Sequence, residues 1–407
     1  MKNTLSILIA IAIFLPVTSC DDLLIFVPRK EGGTPPSVLV KAELLDARSY
    51  EDIQRAYADV DQEALAEAAD KIKDPAIDIY RLVYRTQNAF GEDTQASGIV
   101  IIPQGGTTDE THLIAYFHGT VEPEGDFGGN LYYPSVFNYE AEENFEPLIM
   151  SLFAMNGNIV IAPDYLGYGE AQDEFHPYNI YSALAPGNLD MIRASKEFLQ
   201  GQHTAFKDEL YLAGWSEGAA AGMAFQQYLQ ERHISDINSV AGSFMAGAYS
   251  NFDLATTVLQ SDQEWLVMGI YGRTLLAYDS LYRLGQPNDY YFQEPFASDF
   301  EEAFFPVSTL ERTTNEFYTP TFRANFLAGT DPLVASLKTD DLTDWQPAVP
   351  IQLLAGEFDE WVPSAQTANA AQRLRARGAD ITSEIVPDAG HGFISYIPRT
   401  LDFFEQR

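Results

Sequence analysis

The chain has 407 residues, of which 46% are hydrophobic and 13% aromatic, with 28 glycines and 22 prolines. This composition describes an ordered globular protein, long enough for one large catalytic unit with an insertion, and excludes the disordered and fibrous classes. Acidic residues outnumber basic ones, 59 to 24, and the formal net charge of -35 speaks against nucleic acid or an anionic membrane surface as a partner.

From the N-terminus, Met1 and Lys2 form a short basic start, Leu5 to Pro16 an apolar run of signal-peptide length, and Val17-Thr18-Ser19-Cys20 a small-residue ending. A run this short does not readily span a bilayer. The ending resembles the bacterial lipobox, which implies cleavage before Cys20 and acylation of that cysteine. Residues 1–19 are then a lipoprotein signal peptide, and the protein is an exported bacterial lipoprotein held to a membrane by its N-terminal lipid anchor. Cys20 is the only cysteine, so no internal disulfide is available despite the exported context. Gly32, Gly33, Pro35 and Pro36 give the following segment, residues 20–45, the composition of a tether.

Ser49 to Asp74 contains a predicted helix carrying Asp59, Glu63 and Glu67, ended by Pro75. Ile77 to Thr86 and Ser97 to Pro103, rich in Ile, Val and Tyr, flank Ala89-Phe90-Gly91-Glu92 and predict a hairpin. Apolar runs at Leu113 to Phe117, Asn158 to Ala162, Leu210 to Ala213, Val240 to Met245 and Ile351 to Leu354 have the shortness of strands buried on both faces. Helix-length segments lie between them: Glu146 to Asn156, Leu189 to Leu199, Glu217 to Arg232 and Ser364 to Arg377. This alternation predicts an α/β fold with a mostly parallel central sheet flanked by helices. Residues 251–346 interrupt it at a length too great for a loop. Trp265, Leu266, Met268, Ile270, Tyr271, Leu275, Leu276 and Tyr278 predict an apolar helix there, making the stretch a helical cap insertion on a catalytic domain of residues 46–250 and 347–407. Those residues, with Tyr290, Tyr291 and Phe292, either line an acyl or aromatic pocket or form the cap's own core.

The chemistry begins where a strand meets a helix. Gly214-Trp215-Ser216-Glu217-Gly218 matches G-x-S-x-G, preceded by apolar Leu210 to Ala213 and followed by Ala219-Ala220-Ala221-Gly222. A nucleophilic serine must project from a strained turn, which needs small neighbours, so Ser216 is the expected nucleophile. It requires a base. Of six histidines, His391 lies between glycines on a loop after Ile385-Val386 and follows the serine in chain order. Histidines 112, 118, 176, 203 and 233 fit less well, and His203 and His233 fall at helix ends. The acid belongs after the penultimate strand, where Asp359 stands, with Glu357, Glu360 and Asp388 as rivals. The backbone N–H of Glu217 and that of Thr120, after Tyr116-Phe117-His118-Gly119, are the expected oxyanion-hole donors. His118 is expected to brace that loop.

The triad order, His118-Gly119, the run Ala162-Pro163-Asp164-Tyr165-Leu166-Gly167-Tyr168-Gly169 and the stretch from Tyr84 to Pro103 together resemble secreted lipases and esterases of the α/β-hydrolase superfamily. The resemblance covers roughly residues 76–250 and 348–400 and implies the α/β-hydrolase fold. It also implies hydrolysis of a small-molecule carboxylic ester through an acyl-enzyme, with no metal or organic cofactor. Asp164 and the glycines after it carry over as a structural loop. Glu217 departs from the smaller or neutral residues also common at its position, though a carboxylate at a helix N-terminus is electrostatically favoured. A serine peptidase acting on short peptides is the alternative, with cap carboxylates as candidates for holding a substrate's amino terminus. A non-catalytic surface protein binding glycan or lipid is a further one. Glycoside hydrolysis is disfavoured, since the carboxylates show no pairing in sequence.

Overall fold

The strands form as their patterns require, and the sheet they build explains why some patterns are clear and others faint. The computed structural model describes residues 37–57, 66, 69–121, 146–302, 310–392 and 394–407. Cys20, the leader, the tether through residue 36, and Asp59, Glu63 and Glu67 lie outside them. Among the described residues the main-sheet strands are β1 (Leu39–Ser49), β2 (Ala76–Gln87), β3 (Asp93–Pro103), β4 (Leu113–Phe117), β5 (Ile159–Pro163), β6 (Leu210–Trp215) and β7 (Ser239–Met245). A short pair follows in the cap, β8 (Glu264–Trp265) and β9 (Arg312–Thr313), and then β10 (Ile351–Gly356) and β11 (Ile381–Val386).

The main sheet has the order β1-β2-β3-β5-β4-β6-β7-β10-β11. The strands from β5 to β11 pair in parallel, while β1, β2 and β3 add an antiparallel edge. Every residue of β4, β5 and β10 is buried, as befits strands covered on both faces. The hairpin of β2 and β3 forms in the expected place. At its turn the Asn88 carboxamide oxygen accepts the N–H groups of Phe90 and Glu92, both at 3.0 Å, and Gly91 takes a left-handed φ of 81°.

One boundary needs correction. Residues 39–45 were assigned to the tether, but they begin β1, which pairs antiparallel with β2 from Leu39↔Tyr84 to Ser49↔Ala76. The Glu197 carboxylate fixes the start of this strand by accepting from Ser37 Oγ at 2.8 Å, Val38 N–H at 3.0 Å and Leu39 N–H at 3.2 Å. As an edge strand largely open to solvent, β1 carries Lys41, Glu43, Asp46 and Arg48 and so lacks the apolar run that marks a central strand.

Helices cover both faces. On one, Glu146–Met155 and Ile397–Glu405 pack against Ile114, Tyr116, Val160 and Tyr211 in a single apolar cluster. On the other, Tyr181–Gly201, which starts eight residues before the expected Leu189, packs on Glu217–Glu231. The ring of Phe117 lies 5.5 Å from that of Phe225 on this second face, opposite in pleat to its neighbour Tyr116. Within the stretch from Ser49 to Asp74 a helix forms at Tyr50–Ala56, capped by the Ser49 hydroxyl, and ends at Tyr57, before the acidic residues expected to lie on it.

Between β7 and β10 the described chain is largely helical. The apolar helix of the cap is Met268–Tyr282, while Trp265 lies in β8 and pairs with Arg312. Tyr291 and Phe292 form the cap's own core, with ring centroids 5.0 Å apart for Tyr291 and Phe322, 4.6 Å for Phe292 and Phe300, and 5.0 Å for Phe296 and Phe317. Buried Asp340, at the end of the cap, accepts from the backbone N–H groups of Tyr181 (2.7 Å) and Ser182 (3.1 Å) and from Tyr278 Oη (3.1 Å). It thereby joins the cap to the first turn of helix Tyr181–Gly201. No helix among the described residues is long and apolar enough to cross a membrane.

Phe322 is fully buried in the cap's aromatic core. Phe322→Ala is expected to destabilise the protein by about 3–5 kcal/mol, measured by urea unfolding followed through tryptophan fluorescence.

Candidate active site

Ser216 sits between β6 and helix Glu217–Glu231 with φ 57° and ψ −121°, a conformation disfavoured for any L-residue. Its N–H donates to Met245 O at the end of β7, 2.8 Å away, which holds the strained turn against the sheet. The motif glycines make the turn possible. A Cβ on Gly218 would overlap the carbonyl oxygens of Phe117 and His118, and one on Gly214 would overlap the carbonyl of Gly218. The helix is therefore pressed onto the end of β4, and Ser216 points from the carboxyl edge of the sheet.

The loops after β10 and β11 arrive at the same edge. Asp359, His391 and Ser216 are 8%, 6% and 8% exposed, so their contacts are shielded from water. His391 Nδ1 is 2.9 and 3.0 Å from the two Asp359 carboxylate oxygens, and His391 Nε2 is 2.9 Å from Ser216 Oγ. A carboxylate only accepts, so the hydrogen resides on Nδ1 and Nε2 is left to accept the serine hydroxyl. Asp359 Oδ1 also accepts the backbone N–H groups of Trp361 and Val362, at 3.0 and 2.8 Å. Such an arrangement permits deprotonation of the hydroxyl as it attacks a carbonyl carbon.

Among the rival acids, Glu357, Glu360 and Asp388 are exposed, and Asp388 N–H faces Glu357 Oε2 at 3.4 Å. The structure thus brings Ser216, Asp359 and His391 together and leaves the other three carboxylates outside. Two tryptophans to which the sequence assigned no role hold the imidazole. Trp361 stacks on it at 5.1 Å and 15°, and Trp215 lies 5.0 Å away and donates from Nε1 to His391 O at 2.9 Å. Their positions beside Asp359 and Ser216 were the available signal.

Thr120 and Glu217 line one cavity with Ser216, to which the cap contributes Leu254, Val267, Ile270 and Tyr271. Glu217 N–H is in the first turn of its helix, where backbone donors have no intrahelical partner. The Thr120 loop is held by its neighbours. His118 braces it as expected, with Nδ1 2.7 Å from Gly119 O, Nε2 3.2 Å from Asp164 O, and its ring stacked on Tyr165 at 4.1 Å. Asp164 in turn accepts from Ser97 Oγ at 2.5 Å, consistent with a structural loop. Gly119 N–H donates to Glu146 Oε1 at 2.6 Å. His203 and His233 end helices at the surface, whereas His176 is buried beside Glu217, a placement the sequence does not signal.

A model of the alpha/beta hydrolase family matches residues 118–400. The chain belongs to the alpha/beta hydrolase family. Among solved structures, this hydrolase is similar to the rice cell wall degrading esterase LipA from Xanthomonas oryzae, with a TM-score of 0.76 and 20% identity, covering 91% of this chain and 99% of that one. It is also similar to a putative hydrolase from Legionella pneumophila, with a TM-score of 0.74 and 22% identity over 91% of this chain and 98% of that one. Lipase A from Candida antarctica gives a TM-score of 0.60 at 16% identity, covering 91% of this chain and 79% of that one. At such identities the likeness concerns the fold. No curated protein sequence matches that of this hydrolase.

Burial raises the Glu146 carboxyl from the ordinary 4.5 to about 7, against the lowering influence of His118, Tyr116 and the Gly119 N–H. The fold therefore favours the protonated acid. That stability is fully present below the ordinary carboxyl value and is lost as pH rises through about 7. Relative to Glu146→Gln, the wild-type unfolding free energy is expected to decline by up to about 3 kcal/mol from acidic to mildly alkaline pH, measured by urea titration.

Proposed function

We propose that this protein hydrolyses small-molecule carboxylic esters through an acyl-enzyme formed on Ser216. The observation that carries this reading is the Ser216–His391–Asp359 hydrogen-bonded chain opening onto an apolar cavity. Ser216 Oγ attacks the ester carbonyl while His391 Nε2 takes its proton, and Asp359 stabilises the imidazolium and its orientation. The backbone N–H groups of Glu217 and Thr120 receive the oxyanion. On collapse the C–O bond breaks and the alcohol leaves with the proton from His391. Water then attacks the acyl-enzyme by the same route, with His391 again acting as base.

The lining supports this reading over the peptidase. Among the described residues, the cavity carries one carboxylate, Glu217, which faces His176 at 3.2 Å. Among the described residues the buried cap carboxylates are occupied within the cap or at its junction: Asp279 accepts from Gly285 N–H, Gln286 N–H and Tyr291 Oη, Asp331 from Leu333 N–H and Tyr290 Oη, and Asp340 as described above. Among the described residues, a substrate ammonium would therefore meet a largely apolar lining whose one carboxylate already faces His176. A second, largely apolar hollow lined by Val258, Leu259 and Leu275 shares Leu254 and Tyr271 with the first, and this continuous apolar lining is suited to acyl chains longer than acetyl. Export as a lipoprotein anchored through Cys20 belongs to the same proposal, and rests on the leader sequence alone.

Purified protein is expected to turn over p-nitrophenyl hexanoate and octanoate faster than acetate, and to leave aminoacyl-p-nitroanilides intact. Ser216→Ala is expected to lower kcat by at least about 10⁴-fold, and Asp359→Asn by about 10⁴-fold. Anilide cleavage without ester turnover would instead favour the peptidase, and equal inactivity of wild type and Ser216→Ala towards all of them the binding protein.

A further inference from the structure

Glu217 and His176 come from different elements, the first turn of the helix after Ser216 and the loop that follows β5. Their side chains are 1% and 8% exposed, and His176 Nε2 faces Glu217 Oε1 at 3.2 Å. Neither atom has a hydrogen-bond partner among the described residues, so their contact is an ion-pair approach and not an aligned hydrogen bond. The other imidazole nitrogen decides where the hydrogens are. His176 Nδ1 lies 2.6 Å from Leu166 O, and a carbonyl only accepts, so Nδ1 carries a hydrogen. A neutral ring would then aim the Nε2 lone pair at the carboxylate. Two acceptors buried face to face are unfavourable, and a proton between them, borne by either partner, removes the conflict.

We propose that His176 and Glu217 share one buried proton, and that Glu217, held in this pair, is a positioning residue that fixes Thr120 in the oxyanion site. This rests on the ester-hydrolase reading for its catalytic consequence. Glu217 Oε2 accepts from Thr120 Oγ1 at 3.2 Å, and Thr120 Oγ1 is 2.7 Å from Tyr178 Oη. The carboxylate thus spans the two segments whose N–H groups must converge on one oxygen. Other ionisable groups face the pair from each packed element: Arg273 of helix Met268–Tyr282, with its guanidinium 3.8 Å over the Tyr178 ring, His118 beside the Thr120 loop, and Glu146 from its own helix. Tyr165, Tyr168, Tyr178 and Tyr181 complete the surroundings.

Burial lowers His176 from the ordinary histidine value, opposed by the Glu217 carboxylate. Burial would raise Glu217, but His176 and Arg273 outweigh it and hold the acid low. The shared proton is accordingly the labile part of the pair. When it leaves, the charge balancing the carboxylate beside Ser216 disappears, where negative charge must develop in the transition state.

The test compares wild type, Glu217→Gln and Glu217→Ala with p-nitrophenyl acetate, reading kcat and KM against pH, and with circular dichroism to establish that each variant is folded. Glutamine supplies an oxygen for Thr120 and an N–H for the lone pair of a neutral His176. Glu217→Gln is therefore expected to retain more kcat than Glu217→Ala and to lack the fall in kcat that the wild type shows as the shared proton leaves. Glu217→Ala is expected to lose about 10-fold or more in kcat at little change in KM. A Glu217→Gln profile that superimposes on wild type, or full kcat in Glu217→Ala, overturns the inference. Nitrogen-15 histidine NMR, with His176 assigned by His176→Gln, reads the proton without turnover. A hydrogen-bonded Nε2–H in wild type at pH below the ordinary histidine value, absent in Glu217→Gln, is expected. Its absence in wild type overturns the shared proton whether or not esters are cleaved, whereas its presence in a protein inactive on every ester sinks only the ester-hydrolase reading.

Discussion

The approach of Gly218 to the carbonyl end of β4 is the contact on which the site depends. With no side chain at that position, the helix after Ser216 settles directly on Phe117 and His118. That contact sets how far the serine projects and how near the first turn of the helix, with the Glu217 N–H, comes to the end of β4. A bulkier residue would separate the nucleophile's turn from the Thr120 loop before it disturbed the rest of the sheet. The strain at Ser216 is sustained by the same arrangement, since the N–H of the strained residue is held by Met245 O on the adjacent parallel strand.

Around this contact the interior carries more ionisable groups than an apolar core tolerates unless they are paired. The net charge of -35 is therefore distributed over two settings. Surface carboxylates are hydrated and contribute mainly to solubility. Glu146 and Glu217, by contrast, are buried among His118, His176 and Arg273, and each accepts a hydrogen bond from the Gly119–Thr120 loop. In a region of low effective dielectric these interactions are directional and strong, so Gly119 and Thr120 are held in place at the end of β4.

The cap combines two functions that its composition alone does not separate. Its phenylalanines pack against one another and give it a core, as the contacts of Phe292, Phe317 and Phe322 show. Its aliphatic residues Leu254, Val267 and Ile270 instead face the cavity at Ser216. Tyr271 serves both the cap and the catalytic loop, because its hydroxyl donates to Trp361 O at 2.7 Å and Trp361 stacks on His391. The cap is thus connected to the base through a single hydrogen bond and one ring.

The sequence by itself determined the central strands, the nucleophile's turn and the chain order of serine, acid and histidine. These depend on local pattern: continuous apolar runs for strands buried on both faces, and small residues where the backbone must turn sharply. Tertiary structure decided what depends on the path of a loop or on distant partners. Three carboxylates crowd the segment after β10, and only the course of that loop turns Asp359 toward His391 while Glu357 and Glu360 face water. The edge strand β1 has too little buried surface to leave an apolar signature, and its pairing with β2 reveals it. His176 and Glu146 stand 41 and 71 residues before Glu217 in the sequence, and no periodicity links residues brought together by the closing of a sheet.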